Sequence, residues 1–387
     1  SGEYSTYDGD YVYVRTGQAL PPKPPREKFA VPWAEVKRRS INTGLLIDAD
    51  PAPDWTLTAT AFYADTKRSP VDFTSAALTN ARTAQITWIH TDVLHGRTAT
   101  GELATERRFT TGTADHALIA AVRGRHSRQL NISRAPVFVG TVDVDDPVFP
   151  LQPALPPALG ELHSDVDQGI FSLGYRGDYF GRLEFKVGLH RSVYTKKVSP
   201  PGGAKTSRTT RKWLYDASLV LAATGKTTLF ANAVRGIEES GTAPQNAVNR
   251  FAVLPPVIAR EYEIGMRQEL TDTLVLTLSG FDTTKLTAAL DPNGIYALVG
   301  KVRHRGGELS LTGRIAANTS VVIGGMAMKP KLSGQLVDAG LVSARPVGVS
   351  SSLGFAGIDQ TFDWAPNWAF DARGTWQAGR AADSTNT

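Results

Sequence analysis

The chain has 387 residues, with 36 glycines, 23 prolines, no cysteine and a formal net charge of +5. The lack of cysteine excludes a disulfide framework and a cysteine-ligated metal site. Lys and Arg are interleaved with acids, which does not indicate a nucleic-acid binder, and no run of about eighteen apolar residues could form a transmembrane helix.

The first half of the chain predicts strands separated by turns and polar connections. A strand is predicted at 11–15, and the proline-rich segment 17–25 is predicted as a loop. Further strands are predicted at 36–48, 55–63, 97–109 and 116–127. Two stretches, 65–96 and 133–165, are predicted as long loops because they are polar or rich in proline.

The region 182–315 holds six amphipathic segments in succession. In the clearest, apolar and polar side chains alternate: Leu183, Phe185, Val187 and Leu189 against Glu184, Lys186, Gly188 and His190. Because successive side chains of a strand point to opposite faces, each segment predicts a strand with one apolar and one polar face. A sheet with these two faces suits lipid on one side and water on the other.

The connections in the second half alternate in length. Short turns are predicted near 177–181, 224–226, 271–272 and 316–318, and long connections near 198–210, 239–257, 285–302 and 331–345. A final pair of strands is predicted at 347–358 and 367–378. About fifteen strands in this rhythm predict an all-β fold, an antiparallel up-and-down transmembrane β-barrel.

A soluble fold is the alternative, since sandwiches, propellers and β-solenoids also alternate strands with turns. That reading gives a soluble or surface-exposed β-rich binding or adhesion protein. The barrel is favoured because most strands of about ten to fourteen residues match a tilted bilayer crossing and exceed the usual soluble strand.

Three stretches carry a resemblance to a known family. They are LFANAVRGIEESGTAP (Leu229–Pro244), REYEIGMRQELTDTLVLTLSGFD (Arg260–Asp282) and GKVRHRGGELSLTGRI (Gly300–Ile315). Together they resemble the barrel of TonB-dependent outer-membrane receptors of the siderophore type.

The resemblance implies a barrel of about 22 strands around an N-terminal plug, in the bacterial outer membrane. It implies that residues 1–387 form one barrel domain with about fifteen of these strands, lacking the plug, the early strands and the last strand. The implied function is import of a ferric siderophore, energised by a TonB-ExbB-ExbD complex through the missing plug. Haem, cobalamin and oligosaccharide importers remain alternatives.

Candidate chemistry is sparse. No nucleophile elbow is present, and His90 and His95 are interpreted as solvated loop histidines. We therefore expect neither an enzyme nor a resident metal or cofactor. The charged residues of the polar face are predicted to pair across strands.

The ligand is predicted to bind near the loop ends of the strands. His190, Tyr194 and Arg235 are nominated there, because a basic rim would attract a negatively charged ferric chelate. Aromatic residues of the other face are predicted to lie at the membrane interfaces: Trp55, Trp213, Tyr215, Trp368 and Trp376.

Overall fold

The computed structural model describes residues 29–78, 82–239 and 241–381, and the backbone of 2–6 and 10–14. The predicted loop at 17–25 lies outside the described residues. In the described residues no helix is long and apolar enough to cross a membrane.

The described residues form seventeen strands and one short helix. In the first half the strands are β1 (Gly2–Thr6), β2 (Asp10–Val14), β3 (Val36–Ala52), β4 (Trp55–Leu78), β5 (Thr83–Thr111), β6 (Ala114–Arg134), β7 (Val137–Asp143), β8 (Ala158–Tyr179) and β9 (Leu183–Ser199). In the second half they are β10 (Thr206–Ala222), β11 (Thr227–Glu238), β12 (Val257–Thr271), β13 (Leu274–Leu290), β14 (Tyr296–Ala316), β15 (Thr319–Gly334), β16 (Ser352–Thr361) and β17 (Ala369–Gln377). The helix α1 (Gln335–Asp338) follows β15.

One sheet contains all these strands. Its main body pairs antiparallel in the order β1, β3, β4, β5, β6, β8 and then β9 to β17, fifteen strands in all. The two remaining strands lie beside long neighbours: β2 runs parallel to the end of β4, and β7 pairs with the start of β5. Within the described residues no pairing joins β17 to β1 or β3. The predicted antiparallel barrel sheet of about fifteen strands is confirmed.

Short turns join β3 to β4, β5 to β6, β8 to β9, β10 to β11, β12 to β13 and β14 to β15 at one end of the sheet, here called the turn end. The predicted short turns are therefore confirmed. The opposite end is called the loop end.

Several predicted loops at the loop end are wrong. The stretch 65–96 belongs largely to β4 and β5, with 24 and 29 residues, and β13 and β14 extend into the predicted connection 285–302. Likewise 133–165 contains β7 and the start of β8. A bilayer crossing needs only about ten residues per strand, so these hairpins extend well beyond it.

Cross-strand register divides the sheet into two faces. One, the outer face, carries apolar rows near the turn end, such as Leu173, Leu189 and Tyr215 on three neighbouring strands. Their large side chains have no protein cover: Ile264 is 69% exposed and Leu173 51%. A continuous exposed apolar surface of this kind indicates contact with lipid.

The other, luminal face is polar near the turn end and is covered near the loop end. There Phe29, Val31, Ile86 and Trp88 are buried in a small apolar core between β4, β5, β7 and the segment 29–34. This core fixes the long β4–β5 hairpin and the chain that crosses it, which gives the loop end a rigid wall.

Candidate ligand-binding surface in the lumen

His190 lies on the luminal face of β9, and both of its ring nitrogens are in use. Nδ1 lies 2.8 Å from Ser172 Oγ on β8, and Nε2 lies 2.6 Å from Asp216 Oδ1 on β10. These contacts link three neighbouring strands. His190 therefore braces the wall and has no ring nitrogen left to offer a ligand.

Tyr194 lies four residues further towards the loop end on the same face. It is only 3% exposed, and its hydroxyl is buried without a well-formed hydrogen bond to any described group. Burial raises the pKa of this hydroxyl well above its ordinary value, so at neutral pH it remains protonated. Tyr194 is thus a buried hydrogen-bond donor beside the Glu239 carboxylate.

A carboxylate bridges two cations beside Tyr194. Glu239 Oε1 lies 3.1 Å from Nζ of Lys196, and Glu239 Oε2 lies 3.2 Å from Nη2 of Arg125. Lys196 is buried at 6% exposure, where a charge is tolerated only with such a partner. Because Glu239 directly follows β11, this bridge holds the start of the 239–256 connection against β6 and β9.

Arg235 does not join these residues. Register places it opposite Tyr215 and Arg260, which are on the outer face, whereas His190 and Tyr194 are luminal. The structure thus brings together two of the three nominated residues. Their role in ligand binding stays a prediction.

The luminal charges pair both along strands and across them. Lys186 lies 2.5 Å from Glu184, and Arg267 lies 2.8 Å from Glu269, each pair two residues apart on one strand. The prediction of cross-strand pairing holds for Arg373 with Asp359 and for Asp216 with His190. Two residues of one parity are near neighbours on the same face, which makes these short-range pairs easy to form.

A buried ionic network near the loop end was missed from the sequence. Asp72 accepts hydrogen bonds from Trp88 Nε1 at 2.9 Å and from the Glu35 backbone at 2.8 Å, and lies 2.6 Å from His90 Nδ1. His90 also contacts Asp92, which pairs with Arg134. The interpretation of His90 as a solvated loop histidine is wrong, because it is buried within strand β5.

His95 is also in β5 rather than in a loop, with its Nε2 2.9 Å from Asp65. Within the described residues no group of three or more metal-ligating side chains is arranged to hold a metal ion.

A second luminal feature is a cavity of about 400 Å³ between β13, β14, β15 and the connection that contains α1. Its lining is mainly apolar and includes Val302, Leu336 and Val349, with the imidazole of His304 among them. Burial lowers the pKa of His304, and its Nε2 has no partner among the described groups. The cavity could accept an apolar group carrying one polar atom.

The family model described as TonB-dependent receptor-like β-barrel matches residues 1–387, and the chain belongs to that family. No curated protein sequence matches the chain.

Solved structures share the fold at low sequence identity. The crystal structure of BauA, the ferric preacinetobactin receptor from Acinetobacter baumannii, has a TM-score of 0.83 and 18% identity, covering 100% of this chain and 59% of that one. The siderophore receptor PiuA from the same organism has a TM-score of 0.74 and 17% identity, with 92% and 56% covered. FpvA of P. aeruginosa in complex with a ferric pyoverdine has a TM-score of 0.69 and 14% identity, with 89% and 46% covered. The chain thus spans between 46% and 59% of the length of these proteins.

Proposed function

We propose that the chain is the barrel part of a receptor in the bacterial outer membrane that imports a ferric siderophore with energy supplied through TonB. The observation that carries the proposal is membership of the TonB-dependent receptor barrel family over the whole chain. Likeness in fold to receptors described as ferric siderophore receptors supports the choice of ligand class. The proposal assigns transport, and no catalytic reaction, to the chain.

The proposal includes parts beyond this chain. A plug that fills the lumen, further strands and the contact with a TonB-ExbB-ExbD complex are assigned to the remainder of the same protein. The length of the solved relatives supports this, since the chain covers only 59% of BauA and 56% of PiuA.

Within the lumen, we assign the first contact with the chelate to Arg125, Lys196 and Tyr194. Two cations and a protonated hydroxyl suit an anionic, oxygen-rich iron chelate. Glu239 occupies the cations in the absence of ligand, and the chelate would replace it. Release of Glu239 would also free the start of the 239–256 connection.

The test is uptake of radioactive iron by cells that lack their own siderophore receptors and express the complete receptor. We expect at least one ferric chelate from a panel of catecholates, hydroxamates and citrate to accumulate, and only when TonB is present. Import of haem, cobalamin or an oligosaccharide in place of every ferric chelate would overturn the ligand class. Uptake that continues without TonB would overturn the energising step.

Substitutions in the lumen test the residues assigned to the first contact with the chelate. R125Q/K196Q should weaken chelate binding by roughly a hundredfold or more, since each of the two charged hydrogen bonds contributes about 1.5–3 kcal/mol, and Y194F should weaken it less. K186Q is the matched control, because Lys186 is luminal but lies near the turn end and pairs with Glu184. Equal affinities for R125Q/K196Q and K186Q would contradict the assignment.

A further inference from the structure

The outer face carries two registered rows of basic residues across β11 to β15, on the loop-end side of the apolar rows. The first row is Arg235, Arg260, Thr284, Arg303 and Lys331. The second is Ala233, Tyr262, Asp282, Arg305 and Lys329. We call the six cations of these rows the basic belt.

Like charges face each other directly in the basic belt. Arg235 is opposite Arg260, Arg305 is opposite Lys329, and Arg303 is opposite Lys331. Direct cross-strand pairs of like charge destabilise a sheet unless a counter-charge is supplied.

The chain supplies little of that counter-charge. Arg303 pairs with Asp282, with Nε 2.8 Å from Oδ1. The other five cations make no ion pair with a carboxylate in the part of the chain that the structure describes. The Nε of Arg235 is also buried without a hydrogen-bond partner among these residues.

The charged part of the outer face on β4 to β9, which the register places further towards the loop end, is different. There Asp65 lies 2.9 Å from His95 and 3.1 Å from Arg97. Asp167 lies 2.6 Å from His126 and 3.2 Å from Lys197, and the register places all three on the same face. We call this stretch the paired belt. The cations just named pair with carboxylates of the protein. A lack of partner carboxylates is therefore not a general property of the outer face.

The position of the basic belt identifies the source of the missing charge. The next rows towards the turn end are apolar: Ala231, Ile264, Gly280, Gly307 and Ala327, then Leu229, Met266, Leu278, Leu309 and Gly325. At about 3.3 Å of strand per residue, the belt begins within roughly 7 Å of the apolar surface. That is the level of lipid headgroups, where Tyr262 also lies with its hydroxyl 3.4 Å from that of Tyr215.

We propose that the basic belt binds the phosphate groups of an anionic lipid in the leaflet at the loop end. Arginine offers paired donors that match phosphate oxygens, and lysine adds a point charge. Clusters of basic residues beside a membrane-spanning segment recognise anionic headgroups in this way. The inference rests on the membrane location proposed above, but not on the siderophore, because the belt and the luminal surface are on opposite faces.

The complete receptor in neutral detergent micelles provides the test, with binding followed by native mass spectrometry and by thermal unfolding. The probes are lipid A with its phosphates, the same lipid with the phosphates removed, and inorganic phosphate. We expect the phosphorylated lipid to bind and to raise the unfolding temperature, and the other two to bind at least roughly tenfold more weakly. Equal binding of the dephosphorylated lipid, or equal stabilisation by inorganic phosphate, would overturn the proposal.

Variants then locate the site. R235Q/R260Q/R305Q/K329Q/K331Q should lose roughly tenfold or more in affinity for the phosphorylated lipid. R97Q/R128Q/K197Q, the control in the paired belt, should stay within about twofold, since each cation there faces a carboxylate. Equal losses of lipid affinity in both variants would contradict the assignment of the site to the basic belt.

The proposed membrane location is tested separately from the lipid site. A receptor that is monodisperse in buffer and gains no β-structure in micelles would contradict that location. A receptor that folds in micelles but does not discriminate the lipids contradicts only the lipid site.

Discussion

The basic belt and the paired belt lie on one face of one sheet, both on the loop-end side of the apolar rows, yet they differ in how their cations are balanced. In the paired belt Asp65, Asp165 and Asp167 contact the neighbouring cations. In the basic belt a single carboxylate, Asp282, serves its two rows. The comparison shows that the register of the strands does not by itself decide whether the cations of a row find partner carboxylates within the protein. The decisive difference is which residues occupy the intervening outer-face positions.

Those positions are small or neutral in the basic belt. Thr284 lies directly opposite Arg260 and Arg303, and Ala233 lies beside Arg235 on the same strand and face. A carboxylate at either position would contact these cations. The cations there therefore keep their charge available to a partner outside the chain. In the paired belt the cations are held in place by the protein and contribute to the sheet itself.

The largest effect on stability is expected from substitutions in the apolar rows, which lie on the turn-end side of both belts. Leu309 is on the outer face opposite Leu278, and the adjacent Ser310 is luminal opposite Thr277. L309R should lower the free energy of unfolding from lipid vesicles by about 2–4 kcal/mol, because the charge enters hydrocarbon. S310R, at the same height, should cost less than about 1 kcal/mol because it enters the lumen. Guanidinium unfolding of the complete receptor measures both.

Equal costs at positions 309 and 310 would mean that the two faces have been exchanged or that neither contacts lipid. The belts would then not lie at a membrane interface.

An intermediate effect is expected from converting the basic belt into a paired one. T284D places a carboxylate directly opposite Arg260 and Arg303. In lipid-free micelles it should stabilise the receptor by about 0.2–1 kcal/mol, the range for opposite charges across strands. Affinity for phosphorylated lipid A should fall roughly fivefold, since one charge near an anionic surface is worth about 1 kcal/mol.

T284N is the matched control, with a similar side chain and no charge. It should leave both quantities close to those of the unsubstituted receptor. Stabilisation by T284N equal to that by T284D would show that charge is not the cause.

The smallest effect concerns pH and belongs to the paired belt. The hydrogen bond with His126, and then that with Lys197, hold the pKa of Asp167 below its ordinary value of 3.8. A carboxyl group with a depressed folded-state pKa stabilises the protein above its unfolded value, and this contribution is lost as pH falls through the folded value. D167N should therefore cost a few tenths of a kcal/mol at pH 7 and nothing at about pH 2.

The basic belt should lack this dependence. R260Q removes a cation that pairs with no carboxylate among the described residues, so its effect on stability should be the same at pH 7 and at pH 3. Parallel unfolding curves at these pH values check both variants. A pH-dependent R260Q effect would reveal a carboxylate partner and weaken the contrast between the belts.

The site could be predicted only in part. The alternation in β9 correctly put His190 on the polar face, because its apolar neighbours are strongly marked, and Tyr194, nominated from its closeness to a loop, lies on the same face. Arg235 was nominated from its closeness to a loop. Ala231 and Ala233 are small and only weakly apolar, so the sequence did not indicate that Arg235 lies with them on the outer face. The bridge from Glu239 to Arg125 had no signal in the sequence, since 114 residues separate them.

The strand type, the apolar rows and the positions of the short turns could be predicted from the amino-acid pattern, because a period of two and local turn residues do not depend on the neighbouring strands. The length of the hairpins, in contrast, depends on tertiary pairing. Beyond the membrane both faces of β4 and β5 are polar or packed on the chain itself, so the apolar alternation ends while the backbone pairing continues. The register of the strands also decided the basic belt, since cations that are scattered along the sequence form two adjacent rows when five strands align.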